Sequence, residues 1–314
     1  MLKRAAKRSA VPLRRTSDAG TKRARNAGAD RLVVTHPERI VFAGLGATKG
    51  DVADYYRQVA PWLLAQVRDR PLSLLRCPDG AGAACFFQKH AGTRLGAHVR
   101  SVRLRDSSGL QQYLCIDDAP GLLELVQMNT LEFHAWGARA RTTTRADRIV
   151  FDLDPHADVA WPDIAAAALI VRDHLATLGL AAFLRTSGGK GLHVVVPLRP
   201  AVPWLRVRRF ARAVADALAA VHPARFVATA GEEKRVGRIF IDWLRNSRGA
   251  TSVASYSLRA RADAGVAMPL AWNRLVRLPG AHAFTLANAA AHVAARRVDP
   301  WRDIDSIEQA LPRV

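Results

Sequence analysis

The sequence predicts an α+β or α/β core, and three observations carry that reading. Runs of strand length alternate with amphipathic runs of helix length through residues 147–242. Two of the strand candidates end in aspartate, and a glycine-rich turn leads into a third. Taken in order, residues 1–30 show no hydrophobic periodicity and many charges, which reads as a flexible basic arm or linker. The fold is expected from Arg31 to the C-terminus, as one large domain or two small lobes sharing a cleft. In DVADYYRQVAPWLLAQV, Val52, Tyr55, Tyr56, Val59, Leu63 and Val67 recur at helical spacing, with Asp51 as N-cap and Pro61 as a break or kink. Short strands are expected at 71–75, 85–88 and 111–116. Further strands follow at 147–154, 182–186, 192–198 and 238–242, and helices at 161–178 and 203–221. After Gly249 the chain is irregular, punctuated by Pro269, Pro279 and Pro300, and is expected to wrap the core.

Composition narrows the partners. Lys and Arg number 47 against 27 Asp and Glu, a net charge of +20 and a pI near 11.2. Only nine of those cations fall in residues 1–30, so the folded body is itself basic and suited to a polyanion, nucleic acid above all. Of the seven lysines, Lys49, Lys89, Lys190 and Lys234 stand in the arginine-rich body, a pattern that hints at point-charge roles. Cys77, Cys85 and Cys115 form no C-x-x-C pair and no even disulfide framework, which suits a reducing cytoplasm and argues against a zinc site. The longest apolar stretch, Ile164 to Val171, is too short to span a bilayer, and no secretory signal is expected.

The chemistry is concentrated at three places. In RIVFDLDP a period of two puts Asp152 and Asp154 on one face of a strand and Ile149, Phe151 and Leu153 on the other. Side-by-side carboxylates repel unless a cation lies between them, and hard oxygen ligands suit Mg²⁺ or Mn²⁺. A plain pair of exposed strand-end acids is the alternative. RIFID ends likewise in Asp242, which either completes a carboxylate triad or is a surface acid satisfied by Arg245 or Arg248. Between them, TSGGKGLHVVVPL offers Gly188, Gly189 and Gly191 for close backbone approach and Ser187, Lys190 and His193 as polar groups for a triphosphate. It is not a Walker A loop, which needs glycine at Leu184 and Ser or Thr at Gly191; an ordinary hairpin turn would also explain the glycines. Upstream, Phe86, Phe87, Gln88, Lys89 and His90 would stack on unpaired bases and meet a phosphate, though one phenylalanine is expected to serve the core. Arg245, Arg248, Arg259 and Arg261 follow Asp242 closely enough to line the same cleft.

In this order, THPERIVF, TKGD, YYRQVAPWLL, RPLSLLRCPDG, FFQKH, VQMNTLEFHAWG, FDLDP, TSGGKGLHVVVPL, RIFIDWLRNSRGATSVASYSLRAR and MPLAW resemble the polymerase domain of bacterial DNA ligase D. That family belongs to the archaeo-eukaryotic primase superfamily and serves non-homologous end joining. The resemblance implies a primase-like α+β fold, with mixed or antiparallel sheets and flanking helices around a central cleft. It implies that Asp152, Asp154 and Asp242 hold two ions, Mn²⁺ or Mg²⁺. It assigns the incoming NTP or dNTP to His134, Ser187, Lys190, His193, Arg245 and Arg259. It assigns a downstream 5′-phosphate to Arg39, where the family commonly has Lys, and Lys49, and template stacking to Phe86 or Phe87. It further implies ribonucleotide insertion, gap filling at double-strand breaks, and partnership with Ku and an ATP-dependent ligase domain in cis or in trans. No ligase lysine motif or phosphoesterase histidine cluster is evident in the chain. Two rival readings are a haloacid-dehalogenase-type phosphatase, disfavoured by His156 two residues after D-x-D, and a non-catalytic DNA-binding module.

Overall fold

The computed structural model describes residues 33–92, 95–106 and 108–312; the expected basic arm lies outside them. β1 (Ile40–Phe42) and β2 (Ala47–Thr48) form a short ribbon that runs into α1 (Lys49–Val67). Next come β3 (Leu72–Arg76), β4 (Phe86–Gln88), β5 (Val99–Asp106), β6 (Gly109–Ile116), α2 (Ala119–Gln127) and β7 (Thr130–Trp136). The second half holds β8 (Arg145–Pro155), α3 (Trp161–Thr177), β9 (Phe183–Thr186), β10 (Leu192–Pro203), α4 (Trp204–Val221), β11 (Phe226–Val227) and β12 (Ile239–Asp242). β13 (Thr251–Val253), β14 (Pro269–Leu270) and α5 (Ala289–Ala294) close the chain. This is the expected α+β architecture, built on two large sheets.

One sheet has the order β13-β7-β3-β6-β5, with β4 also on β3; the other runs β11-β12-β8-β10-β9-β14. All pairings are antiparallel except β11 with β12. The chain after β13 stitches the sheets together. Tyr55 donates to the Tyr256 carbonyl, Tyr56 donates to the Leu131 carbonyl and accepts from the Leu258 amide, and the Ser257 hydroxyl accepts from the Phe133 amide. These are buried groups, so each bond spares a desolvation cost of about 1–3 kcal/mol.

A buried ion cluster braces the far end of β8. Arg70 is fully buried and donates both guanidinium nitrogens to Asp147 at 2.7 and 2.8 Å. Arg139 bridges Asp147 and Asp305, each at 3.1 Å, and Arg148 reaches Asp305 at 3.1 Å and Gln66 at 3.0 Å. The C-terminal segment is thereby tied to the sheet, and Gln309 extends the tie with bonds to Ala181, Pro197 and Arg199.

Three expectations are revised. α1 starts at Thr48 rather than Asp51, because the Thr48 hydroxyl accepts from the Asp51 amide while the Asp51 carboxylate accepts from the Thr48 amide, a reciprocal capping box. The same helix runs through Pro61. Cys77 and Cys85 are joined by a disulfide, their Cα atoms 4.4 Å apart, with Cys115 free and buried. An odd count permits one bridge and a spare thiol, and the two partners lie at the ends of the turn between β3 and β4. Among the described residues no helix is long and apolar enough to cross a membrane.

Candidate active site

The registers of four neighbouring strands line up one row of charge-bearing residues. Asp242 on β12 stands opposite Asp152 on β8, Asp152 opposite His193 on β10, and His193 opposite Arg185 on β9. Opposed residues of antiparallel strands share a face, and Asp154, two residues along β8, shares it too. The other face of β8 presents Ile149, Phe151 and Leu153, all fully buried. The strand period thus separates the core from the chemistry.

Arg185 donates from Nε and Nη2 to Nδ1 of His193 at 3.1 and 3.0 Å. The imidazole proton therefore sits on Nε2, 3.3 Å from Oδ1 of Asp152. Burial lowers the His193 pKa against the pull of Asp152, which keeps the ring a neutral donor. Burial alone would raise Asp152, but His193, Arg245 and Arg259 outweigh it and hold the carboxyl at about 2. Asp242 goes the other way: burial raises it, Arg245 opposes, and the charges of Asp152 and Asp154 add to the rise. At Asp242, burial and the two neighbouring carboxylates together outweigh Arg245.

Arg245 shows where a cation belongs. Its Nε lies 3.0 Å from Asp242 and 3.6 Å from Asp152, spanning the two acids. Lys190 approaches Asp154 at 3.2 Å, and Arg235 pairs with the other oxygen of Asp154. As the side chains stand, no three His, Cys, Asp or Glu among the described residues form a ready cage for a metal ion. The donor set nonetheless fits a hard divalent cation: three acids on one sheet face, with flexible cations at the positions a metal would take. Binding would exchange Arg245, Lys190 and Arg235 for the ion.

The glycine-rich segment is the turn between β9 and β10. The Ser187 amide donates to the Gly191 carbonyl, and the Ser187 hydroxyl accepts from the Gly189 and Gly191 amides, both at 3.2 Å. Gly188 has φ +68°, and a Cβ there would meet the Ala267 amide nitrogen at 2.9 Å; one at Gly191 would meet the Leu153 carbonyl at 2.3 Å. Close packing therefore demands these two glycines whatever they bind, Gly191 against β8 and Gly188 against the backbone at Val266 and Ala267. The turn lies against the backbone between Asp152 and Asp154.

The first sheet supplies the opposite wall. His134 on β7 pairs with Glu132 at 2.7 Å, and Glu132 also accepts from Arg259 Nε at 2.9 Å and the Ala260 amide at 2.8 Å. Arg259 then donates to the Ser187 carbonyl at 2.7 Å, linking this wall to the turn. Burial would raise the Glu132 pKa, but His134 and Arg259 bring it below the usual value; burial lowers His134. Phe87 is 55% exposed and meets the His134 ring edge-on at 5.2 Å, whereas Phe86 has the Arg76 guanidinium over its ring at 5.4 Å. Neither phenylalanine is buried, contrary to the expected core role for one of them. Lys89 is exposed.

Arg39 and Lys49 form a separate group, with no contact to the carboxylates. Lys49 is buried and donates to the Thr35 carbonyl and Gln127, while Arg39 reaches the Pro78 carbonyl and Asn129. Burial lowers the Lys49 pKa and the nearby Arg39 charge lowers it further. Three participants were not singled out in the sequence. Glu132 was legible from its i, i+2 spacing to His134, and Arg185 from counting back across the hairpin from His193. Arg235 carried no signal, because its loop position relative to Asp154 depends on tertiary packing.

This constellation can be set beside known proteins. The family model for the LigD primase-polymerase domain matches residues 48–301. The chain belongs to that family. It is 39% identical over 303 residues to the multifunctional non-homologous end joining protein LigD of Pseudomonas aeruginosa, covering 96% of this chain and 36% of that protein. To LigD of Mycobacterium tuberculosis it is 35% identical, over 80% of this chain and 34% of the relative. The chain thus spans about a third of the length of these relatives. A solved polymerase domain of M. tuberculosis ligase D in complex with DNA matches with a TM-score of 0.82 and 32% identity, covering 88% of this chain and 98% of that one. Membership of the LigD primase-polymerase family makes the chain a DNA-directed nucleotidyltransferase and sets aside the phosphatase reading.

Proposed function

We propose that the chain extends 3′ ends and fills gaps at DNA double-strand breaks by two-metal phosphoryl transfer, with Asp152, Asp154 and Asp242 as the metal ligands. The observation that carries this reading is the convergence of the three acids from β8 and β12 onto one face beneath the β9–β10 turn. When bound, Mn²⁺ or Mg²⁺ supplies charge stabilisation at the attacking and leaving oxygens. The protein's own residues position the rest. Lys190 and Arg245, freed from the carboxylates, turn to the triphosphate of an NTP or dNTP, joined by Arg259, His134 and Ser187. His193, its tautomer fixed by Arg185, donates to Asp152 and holds that carboxylate in place. Preorganised charge rather than covalent chemistry performs the work.

Arg39 and Lys49 fit a downstream 5′-phosphate: two close cations, one of them buried, held by neutral acceptors and by no carboxylate. Phe87, exposed beside His134, fits stacking on a template base, with Phe86 and Lys89 next to it. The relatives' printed names place them in non-homologous end joining, which supports Ku and an ATP-dependent ligase domain, in cis or in trans, as partners, and bacterial cytoplasm as the setting. Primer extension on a gapped, 5′-phosphorylated duplex tests the reading, comparing Mn²⁺ with Mg²⁺ and ribo- with deoxyribonucleotides. Template-directed incorporation is expected, with Mn²⁺ and ribonucleotides favoured. Salt-sensitive DNA binding without any incorporation would leave a binding module instead.

A further inference from the structure

Beyond the edge of the catalytic sheet, at β14, lies a cavity of about 540 Å³ whose polar lining is almost wholly cationic: Arg274, Arg277, His292, Arg296 and Arg297. No carboxylate lines it. Arg274 and Arg277 sit three residues apart on one 3-10 helix spanning Trp272–Arg277, and at three residues per turn their side chains stack on one side. Arg296 and Arg297 come to the same cavity from a second segment, just after α5. Like charges brought together this way repel unless an anion joins them.

The molecule's own acids do not serve that purpose. Arg274, Arg277 and Arg297 are exposed, and none has a side-chain hydrogen bond or ion pair among the described residues. Some exposed arginines elsewhere do have carboxylate partners, such as Arg212 with Asp216 and Arg302 with Asp303. The nearby Asp299 is engaged by the Tyr256 hydroxyl and the Trp301 amide. Burial lowers the His292 pKa, and the charges of Arg296 and Arg274 lower it further, so the field of both arms meets at this ring.

We propose that this cavity is a second phosphate-binding site, which holds phosphodiester groups of the DNA backbone away from the carboxylates. Its lining offers guanidinium forks and apolar walls such as Pro269 and Phe284, suited to phosphate oxygens and to no particular base. Position favours DNA over a free anion. Pro269 stands opposite Arg185, which stands opposite His193 and Asp152 in turn, so the cavity begins three strands from the catalytic acids. At about 4.8 Å per strand that is about 14 Å, the rise of roughly four base pairs at ~3.4 Å each. The choice of DNA rests on the polymerase reading; the phosphate chemistry does not.

The test uses the full chain with arginines 274, 277 and 297 changed together, R274A/R277A/R297A, and the charge-preserving R274K/R277K/R297K. Binding of a fluorescent gapped duplex is followed by anisotropy across a salt series. The alanine variant is expected to bind about tenfold more weakly, with the slope of log K against log salt reduced by about 3, while the lysine variant keeps most of both. Unchanged affinity and slope in the alanine variant would overturn the proposal. Loss of tripolyphosphate binding by calorimetry, with DNA affinity intact, would overturn the assignment to DNA. Should the triple alanine variant not fold, R297E carries the same salt-series test. Wild-type incorporation is measured alongside: if the wild type incorporates nothing while the variant still loses salt-dependent affinity, the polymerase reading fails and the phosphate site stands.

Discussion

Two clusters on β8 place aspartates among arginines, and they are built to opposite ends. At one end Asp147 receives a two-pronged guanidinium from Arg70 and a further bond from Arg139, so its charge is fully engaged. At the other, Asp152, Asp154 and Asp242 crowd together on one sheet face and share their partners: Arg245 spans Asp242 and Asp152, Lys190 and Arg235 both meet Asp154, and His193 meets Asp152. A closed ion pair makes structure, whereas neighbouring acids whose cations can be exchanged make a place for a metal. The proton affinities record the contrast. Asp147 is held below its usual value by Arg70 and Arg148 in spite of burial, while Asp242 is raised by burial and by its acidic neighbours.

The largest test of this contrast is D152A/D154A. Incorporation on a gapped duplex is expected to vanish, with DNA affinity close to wild type and the chain still folded; residual extension would break the comparison. D147A should do the reverse. Leaving Arg70 buried and unpaired costs about 3–5 kcal/mol, read as a lower urea midpoint, while the folded fraction retains incorporation. Next comes E132Q, which weakens a charge-assisted bond to Arg259 worth ~1.5 kcal/mol and should raise the nucleotide KM about tenfold with little change in stability. An unchanged KM would detach Arg259 from the nucleotide.

The smallest effects are the sharpest. Because the folded pKa of Asp242 is raised, its ionisation above the unfolded value near 3.8 works against the fold. D242N should therefore raise the melting temperature of the metal-free protein by about 1–3 °C, where D147N lowers it. Asp152 has the opposite sign: its folded pKa of about 2 lies below 3.8, so its contribution is present above pH 3.8 and fades as pH falls toward 2. An acid titration of wild type against D152N should show the two curves converging in that window. Curves that stay parallel would mean that His193 and Arg245 do not stabilise the charged form.

Much of the site was legible because a strand's period is short. Counting by two from Ile149 separates the core face from Asp152 and Asp154, and the β9–β10 hairpin brings His193 alongside Arg185, although the pairing of β10 with β8 was not legible. The adjacency of Asp242 was not legible, since β12 reaches β8 only after a long excursion through α4. The first sheet was harder. β5 reads VRSVRLRD, where exposed arginines mask the strand pattern, and β7 was legible only as a motif. The function of the glycines was half visible: the residue type shows that a backbone must come close, but not that the near neighbour is the Leu153 carbonyl.

The C-terminal ties have a practical consequence for anyone shortening this protein. The match to the family model ends at residue 301, yet Asp305 and Gln309 lie beyond it. A truncation at the similarity boundary would strip Arg148 of its carboxylate and leave the Pro197 and Ala181 carbonyls, at the bend of β10 and the start of β9, without their amide partner. Transplanting the domain into a different protein calls for carrying that short trailing stretch along.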